Sequence, residues 1–236
     1  MLQIITASGR HHFKNDWLST YHLFSFDDYY DPANVEFGCL RVFNDDTVSP
    51  SQGFPMHPHA GMEIVTVVLA GAISHEDSAG HKKIVKTGEV QRMFAGSGVQ
   101  HSENNLDHSP LHLYQIWFHP RHAMGPVEYS QKSFPLSAYH NALRPLVSGY
   151  GEPGALDMHS DATLYRSHLE KGKTVAHTIQ SGRGVFIYIG QGSLTLNGKK
   201  LALHEQARIT DIGPLLIKAA EDTNFILIDV AMIRVE

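Results

Sequence analysis

Short segments in which apolar and polar residues alternate make up most of the chain. In LHLYQIWF, Leu111 to Phe118, the alternation places Leu111, Leu113 and Trp117 on one face of an extended strand. Glycine and proline recur at short intervals and helical periodicity is scarce, although one helical turn is predicted in DYYDPANVEF. The pattern predicts an all-β sandwich or barrel with little helix. Further strands are predicted at Val35–Phe43, Glu63–Ile73, Val90–Met93, Val185–Gly190, Ser193–Leu196, Ala207–Thr210 and Phe225–Ile233.

The two halves of the chain contain similar strand patterns. Val65–Gly71 aligns with Phe186–Gly192, and Gly88–Met93 aligns with His204–Ile209. Each half therefore contains an apolar strand, a glycine turn, a further strand and a second turn. We predict two similar β domains, residues 1–136 and 137–236.

Composition and charge narrow the possible functions. The formal net charge is −5 and no segment concentrates Lys and Arg, which argues against nucleic acid as the main ligand. The longest apolar runs are about half the length that crosses a bilayer. The N-terminal segment lacks the order of a secretory signal, and Cys39 is the single cysteine. We expect a cytoplasmic protein that binds neither nucleic acid nor membrane.

Two pairs of candidate metal ligands stand out among the 17 histidines. Pro58 keeps its neighbours extended, so His57 and His59 point to the same side of the chain. His101 and Glu103 have the same spacing and follow two glycines that suit a tight turn. On neighbouring strands, these pairs would supply three imidazoles and one carboxylate. Such donors suit Fe(II), Ni(II), Mn(II), Co(II) or Zn(II).

Several segments resemble the pirin family of the cupin superfamily. HPHAGMEIVTVVLAGAISHEDSAGH and GEVQRMFAGSGVQHSENN resemble its two signature blocks, and HLFSFDDYYDPANVEFGCLRVFNDDTVSPSQGF resembles the segment before them. The second half resembles the family mainly through IYIGQGSLTLNGKKL. The resemblance implies a bicupin, which consists of two jelly-roll β-sandwiches. It also implies that His57, His59, His101 and Glu103 bind one divalent metal per chain. Fe(II) is the preferred metal, and Ni, Co, Mn and Zn are the alternatives.

Glu63 is an alternative carboxylate, because the general cupin pattern has its ligand four residues after the second histidine. That spacing keeps Glu63 on the side of His59 if the strand is unbroken. The resemblance favours Glu103 as the ligand and a supporting or structural role for Glu63. In the second domain the repeat aligns the four ligands with Thr178, Gln180, Ile217 and Ala219. These form no ligand set and His177 lies one residue out of phase, so we expect a single metal, in the first domain.

The resemblance implies quercetin 2,3-dioxygenase activity, the opening of a flavonol ring by O₂ with release of carbon monoxide. The protein would then bind a small aromatic substrate and O₂, and Glu103 or Glu63 would be the catalytic base. The alternative from another class is a non-catalytic, iron-dependent regulator that binds a protein partner. A metal that only stabilises the fold is a third interpretation.

Other candidates are less specific. Residues that could line a pocket are Phe54, Met56, Phe94, Gln115 and Trp117. The segment HEDS, His75 to Ser78, has residue types found in hydrolases. Adjacent residues cannot build a triad whose members meet across strands, so we assign this segment no role.

Overall fold

Strands follow one another with short turns throughout residues 1–232, which are the residues that the computed structural model describes. The strands of the first half are β1 (Leu2–Ile5), β2 (His11–Lys14), β3 (Leu18–His22), β4 (Leu40–Val48), β5 (Gly53–His59), β6 (Glu63–Ala70), β7 (Ala72–Asp77), β8 (Lys82–Lys86), β9 (Glu89–Phe94), β10 (Val99–Asn105), β11 (Leu111–Phe118) and β12 (Glu128–Ser133). Those of the second half are β13 (Arg144–Ser148), β14 (Leu156–Asp157), β15 (Ala162–Leu169), β16 (Thr174–Ile179), β17 (Arg183–Gln191), β18 (Leu194–Leu196), β19 (Lys199–Leu201), β20 (Gln206–Ile209), β21 (Gly213–Ala219) and β22 (Thr223–Ala231).

Helix is limited to two short segments of the described chain. A 3₁₀ turn spans Ala7–Gly9, and a four-residue α-helix, α1, spans Leu136–Tyr139. The predicted all-β architecture with little helix is confirmed. Within residues 1–232, no helix has the length and apolar character needed to cross a bilayer.

The predicted repeat is visible in the order of the sheets. The first half contains a seven-stranded sheet, β12-β9-β6-β11-β4-β3-β2, and a four-stranded sheet, β5-β10-β7-β8. The second half repeats this order with β1-β20-β17-β22-β15-β13-β14 and β16-β21-β18-β19. The copies differ at one edge, where β14 is parallel to β13 but β2 is antiparallel to β3. The N-terminal strand β1 pairs with β20 of the second half, at the place that β12 takes beside β9. The division at residue 136 stays a prediction.

Three predicted elements differ from the structure. The strand predicted at Glu63–Ile73 is two strands, because Gly71, with a φ of 82°, turns the chain between β6 and β7. The strand predicted at Val35–Phe43 starts only at β4, after a turn at Gly38 with a φ of 58°. The helical turn predicted in DYYDPANVEF is wrong. Asp31 Oδ1 accepts the N–H of Ala33 and stabilises a turn instead.

The other predicted strands are present with small shifts at their ends. Leu111–Phe118 is β11 as predicted. Of the strand predicted at Phe225–Ile233, the last residue lies outside the described residues.

The two sandwiches share one apolar core. Strand β4 turns alternate residues to opposite sides, and Phe43 faces the second half. Its ring centroid lies 5.5 Å from that of Phe186 and 5.1 Å from that of Tyr188. Asp45, on the same face, accepts hydrogen bonds from the Tyr188 hydroxyl at 2.6 Å and from Nε2 of His112 at 2.7 Å. The outer face of the seven-stranded sheet of the first half therefore packs against the second half, and its inner face is free to line a cavity.

The shared core predicts that the halves unfold together. Phe186 is fully buried, so Phe186→Ala should lower the free energy of unfolding by about 3–5 kcal/mol. Both tryptophans, Trp17 and Trp117, lie in the first half, so their fluorescence reports on the half that does not contain the substitution. We expect the fluorescence and circular dichroism transitions of the variant to shift together in a denaturant titration. A fluorescence midpoint that stays at the wild-type value would contradict the shared core.

Candidate metal centre

The two predicted ligand pairs lie on adjacent strands of the four-stranded sheet of the first half. Antiparallel β5 and β10 pair with His101 opposite His57 and Val99 opposite His59. The ring centroids of His57 and His59 are 4.7 Å apart, and that of His101 lies 4.4 and 4.8 Å from them. The potential ligand atoms of the three residues all lie within 4.8 Å of one another. The structure therefore brings the three predicted imidazoles to one point.

Hydrogen bonding leaves nitrogen lone pairs available at this point. Nδ1 of His57 lies 2.7 Å from the carbonyl oxygen of Pro55. Because a carbonyl can only accept, Nδ1 carries the hydrogen and Nε2 keeps its lone pair. Nε2 of His101 is buried and has no hydrogen-bond partner among residues 1–232. A metal ion would satisfy this nitrogen, so the residues present fit such an ion.

Glu103 is held in place from the facing sheet. Its side chain is buried, and its two oxygens accept hydrogen bonds from Nε2 of Gln91 at 2.7 Å and Nε2 of Gln115 at 2.8 Å. Potential ligand atoms of Glu103, His101 and His75 also lie within 4.8 Å of one another, so these residues form a second possible metal-binding group. Each carboxylate oxygen retains further lone pairs beyond the one that accepts the amide hydrogen.

The surroundings set the charge of these groups. Burial lowers the pKa of His59 and of His101 to about 4, and neighbouring imidazoles add to the effect. Burial by itself raises the pKa of the Glu103 carboxyl, but the hydrogen bond from His75 and the proximity of His101 outweigh it, and the pKa falls to about 2. At neutral pH the imidazoles of His59 and His101 are therefore neutral and the Glu103 carboxylate is ionised, which are the forms that bind a metal.

His75 is part of the centre, although the sequence analysis gave it no role. It is fully buried, and its Nδ1 lies 3.4 Å from Nδ1 of His101 while its Nε2 lies 3.0 Å from Oδ2 of Asp77. Burial lowers the pKa of His75, but its hydrogen bonds to Glu103 and Asp77 outweigh burial and raise the pKa overall. His75 therefore directs the hydrogen of Nδ1 towards Glu103 and that of Nε2 towards Asp77. Strand alternation alone would have placed His75 and Asp77 on one face, but it could not show that β7 pairs with β10.

The three imidazoles open into a cavity of about 560 Å³ lined by residues from both sheets. Three of the predicted pocket residues, Phe54, Gln115 and Trp117, line it. Trp117 packs edge-on against His59, with ring centroids 4.8 Å apart. Met56 is instead exposed, and Phe94 packs against His159 on the other side of the large sheet.

Among the described residues, the second half has no equivalent site, although the predicted equivalents need correction. Gly71 and Gly192 occupy the same turn, and from this turn the strand register can be followed through both small sheets. Compared with this register, the predicted equivalents of His57 and His59 are one residue too far along the chain, and those of His101 and Glu103 are two residues too far. The connecting turns differ in length between the halves. The positions of His57, His59, His101 and Glu103 are then taken by His177, Ile179, Leu215 and Ile217. One imidazole and three aliphatic side chains do not form a ligand set.

Family models match both halves of the chain. The model described as Pirin matches residues 6–118, and the one described as Quercetinase C-terminal cupin domain matches residues 145–230. A quercetin 2,3-dioxygenase of Escherichia coli O157:H7 is 39% identical over 230 residues, which cover 97% of this chain and 98% of the relative. The chain belongs to the pirin family. Its fold is accordingly a bicupin.

Other members of the pirin family are also similar along their whole length. A pirin-like protein of Caulobacter vibrioides is 38% identical over 216 residues, which cover 91% of this chain and 93% of that one. The crystal structure of the bacterial pirin YhhW of Escherichia coli in complex with nickel(II) has a TM-score of 0.93 and 38% identity, with coverage of 99% and 100%. A protein of this fold and family thus binds a transition metal.

Glu63 lies away from the cluster in this member of the pirin family. A turn at Gly61, with a φ of 64°, breaks the strand after His59, so the four-residue spacing does not keep Glu63 on the same side. Its buried carboxylate pairs with Arg92 at 2.6 Å and accepts the backbone N–H groups of His159 and Ser160. It therefore holds a segment of the second half against β6. This geometry supports the structural alternative for Glu63 and not the predicted role of base.

The environment of Glu63 predicts a large effect on stability. Glu63→Gln leaves the buried Arg92 guanidinium without its buried counter-charge, and we expect a loss of about 3–5 kcal/mol in unfolding free energy. Glu128 contacts the same guanidinium from an exposed position, so Glu128→Gln should cost at most about 1 kcal/mol. Denaturant titration of both variants measures the difference. Equal stability of the two would show that the Glu63 network is not structural.

Proposed function

We propose that this pirin is a metal-dependent dioxygenase that opens a flavonol such as quercetin with O₂ and releases carbon monoxide. The observation that carries the proposal is the position of the imidazole cluster, at the wall of a cavity lined by Phe54, Ile64 and Trp117. A cavity of this volume lies in the range of small-molecule sites, and its apolar rings suit a flat aromatic ligand. The names of the relatives agree with it.

We assign His57, His59, His101 and Glu103 as the ligands of one divalent transition metal. Three neutral nitrogen donors and one carboxylate oxygen are compatible with Fe(II), Ni, Co, Mn or Zn, and Fe(II) is our first choice. The nickel-bound relative supports a transition metal at this fold. His75 is left to support Glu103 and His101, because its Nε2 is engaged by Asp77 and its Nδ1 faces both of these residues.

When bound, the metal supplies a Lewis acid that lowers the pKa of a substrate hydroxyl. Glu103 lines the cavity and is ionised, so it is our candidate to accept the proton of that hydroxyl at one of its oxygens. Phe54 and Trp117 would orient the aromatic rings and exclude water from them.

The alternative functions receive less support. An iron-dependent regulator would present its metal at a flat surface to a protein partner, whereas this cluster lines a concave cavity. A purely structural metal would have a closed ligand set without an adjoining pocket. The cytoplasmic location, and the expectation that nucleic acid is not a ligand, stay predictions.

Metal titration tests the ligand assignment. Wild-type protein should bind one Ni(II) per chain in calorimetry, and Glu103→Gln should weaken binding at least about tenfold because it replaces an anionic donor with a neutral amide. Glu63→Gln, measured at a temperature where it is folded, should bind like wild type. Wild-type affinity in Glu103→Gln, or two ions per wild-type chain, would overturn the assignment.

Turnover tests the activity itself. Metal-loaded protein should consume O₂ and release carbon monoxide in step with the loss of quercetin absorbance, whereas metal-free protein should do neither. His101→Ala should lose this turnover while its circular dichroism spectrum stays that of wild type, because it removes a ligand and leaves the backbone pairing of β10 with β5 and β7 in place. If protein loaded with Fe, Ni, Co or Mn consumes no O₂ with quercetin, the dioxygenase proposal fails.

A further inference from the structure

A continuous row of polar residues crosses the seven-stranded sheet of the first half. Each member lies directly opposite the next in the strand register, so all of them share one face of the sheet. In sheet order the row is Gln131, Gln91, Thr66, Gln115, Asn44, His22 and His11. The inner face of a β-sandwich normally holds apolar side chains, so this row needs a physical explanation.

Three neighbouring members of the row, Gln91, Thr66 and Gln115, form hydrogen bonds with Glu103 or with one another. Nε2 of Gln91 donates to Glu103 at 2.7 Å and also lies 3.2 Å from Oγ1 of Thr66. Thr66 donates to Oε1 of Gln115 at 3.1 Å, and Nε2 of Gln115 donates to Glu103 at 2.8 Å. These three residues therefore orient the carboxylate, and their burial is offset by hydrogen bonds.

The next members of the row include polar atoms without a partner. Oδ1 of Asn44 and Nδ1 of His22 are buried, and neither has a hydrogen-bond partner within the described part of the chain. Thr20, two residues before His22 on β3, lies opposite Asp46 and interacts with its carboxyl group. The side chains of Asn44 and His22 are 4% and 6% exposed, so bulk solvent does not replace the missing partners. Two such groups on neighbouring strands indicate a ligand with matching polar atoms.

Asn44, His22 and Thr20 line the cavity that contains the imidazole cluster. Asp46, opposite Thr20 in the register, lines it as well. Gln115 separates this polar wall, defined as Thr20, His22, Asn44 and Asp46, from Glu103. The cavity lining therefore contains both the imidazole cluster and the polar wall, with Gln115 between Asn44 and Glu103.

We infer that the substrate carries hydroxyl groups on the part of its aromatic skeleton that lies away from the metal, and that the polar wall binds them. This inference rests on the proposed function and adds to it the residues that recognise the outer hydroxyl groups of the substrate. Oδ1 of Asn44 would accept a hydroxyl hydrogen, and Nδ1 of His22 would donate or accept according to its tautomer.

The charge of the polar wall agrees with neutral hydroxyl ligands. Burial lowers the pKa of His22 to about 4, with a further contribution from His11, so this imidazole is neutral near pH 7. Burial raises the pKa of Asp46 to about 7 although a hydrogen bond from Thr20 lowers it, and the charges of Asp45 and Glu103 raise it further. A wall that bears little net charge suits phenolic hydroxyls better than a phosphate or carboxylate group.

Paired ligands test the inference in an anaerobic binding titration of Ni(II)-loaded protein. Quercetin carries hydroxyls on its outer rings, whereas 3-hydroxyflavone has only the hydroxyl that the metal would bind. Wild-type protein should bind quercetin at least about tenfold more tightly, because 3-hydroxyflavone would leave the polar wall without partners. Equal affinity for the two compounds, or no binding of either, would overturn the inference without any variant.

Variants locate the preference. Asn44→Leu should reduce it about tenfold while the affinity for 3-hydroxyflavone stays unchanged, which shows that the site is intact. His22→Phe is a second variant for the same measurement, and Asn44→Asp, which keeps the acceptor oxygen, is the matched control that should retain a preference. An undiminished preference in both Asn44→Leu and His22→Phe would contradict the role of the wall. If quercetin binds with the expected preference but is not oxidised, the dioxygenase proposal fails and the polar wall stands.

Discussion

The register between β5 and β10 is the constraint on which the site depends. It places His101 opposite His57, and Pro58 keeps the two histidines of β5 on one side. A shift of one residue would turn His101 and Glu103 to the other face of the sheet. β7 fixes the same strand from its other edge and brings His75 against His101. Three strands therefore determine where the imidazoles meet.

The large sheet supplies the opposing surface. Its inner face is polar where Gln91 and Gln115 bind Glu103, and it is apolar where Ile64 and Trp117 line the cavity. Its outer face packs on the second half through residues such as Phe43. The second half thus stabilises the sheet that shapes the site without contributing a ligand set of its own. Glu63 belongs to this interface and not to the site.

The sequence predicted most of the architecture because β alternation and glycine turns are local signals. It also predicted the histidine pairs, since the spacing of two residues directs both side chains to one side. It could not show that β7 pairs with β10, so His75 was missed, or that Gly61 breaks the strand before Glu63. Nor did it show that polar residues on seven strands form one row, because that depends on pairings distant in the chain. The equivalents in the second half were misplaced because turn lengths differ between the copies.

The central claim is that the imidazole cluster and the polar wall belong to one binding site. Anomalous diffraction at the nickel edge from metal-loaded crystals soaked anaerobically with quercetin tests it most directly. The account predicts a nickel peak among His57, His59, His101 and Glu103, with one flavonol oxygen towards the metal and outer-ring hydroxyls at Asn44. A nickel peak elsewhere, or a flavonol bound with its outer hydroxyls away from Asn44, would contradict it.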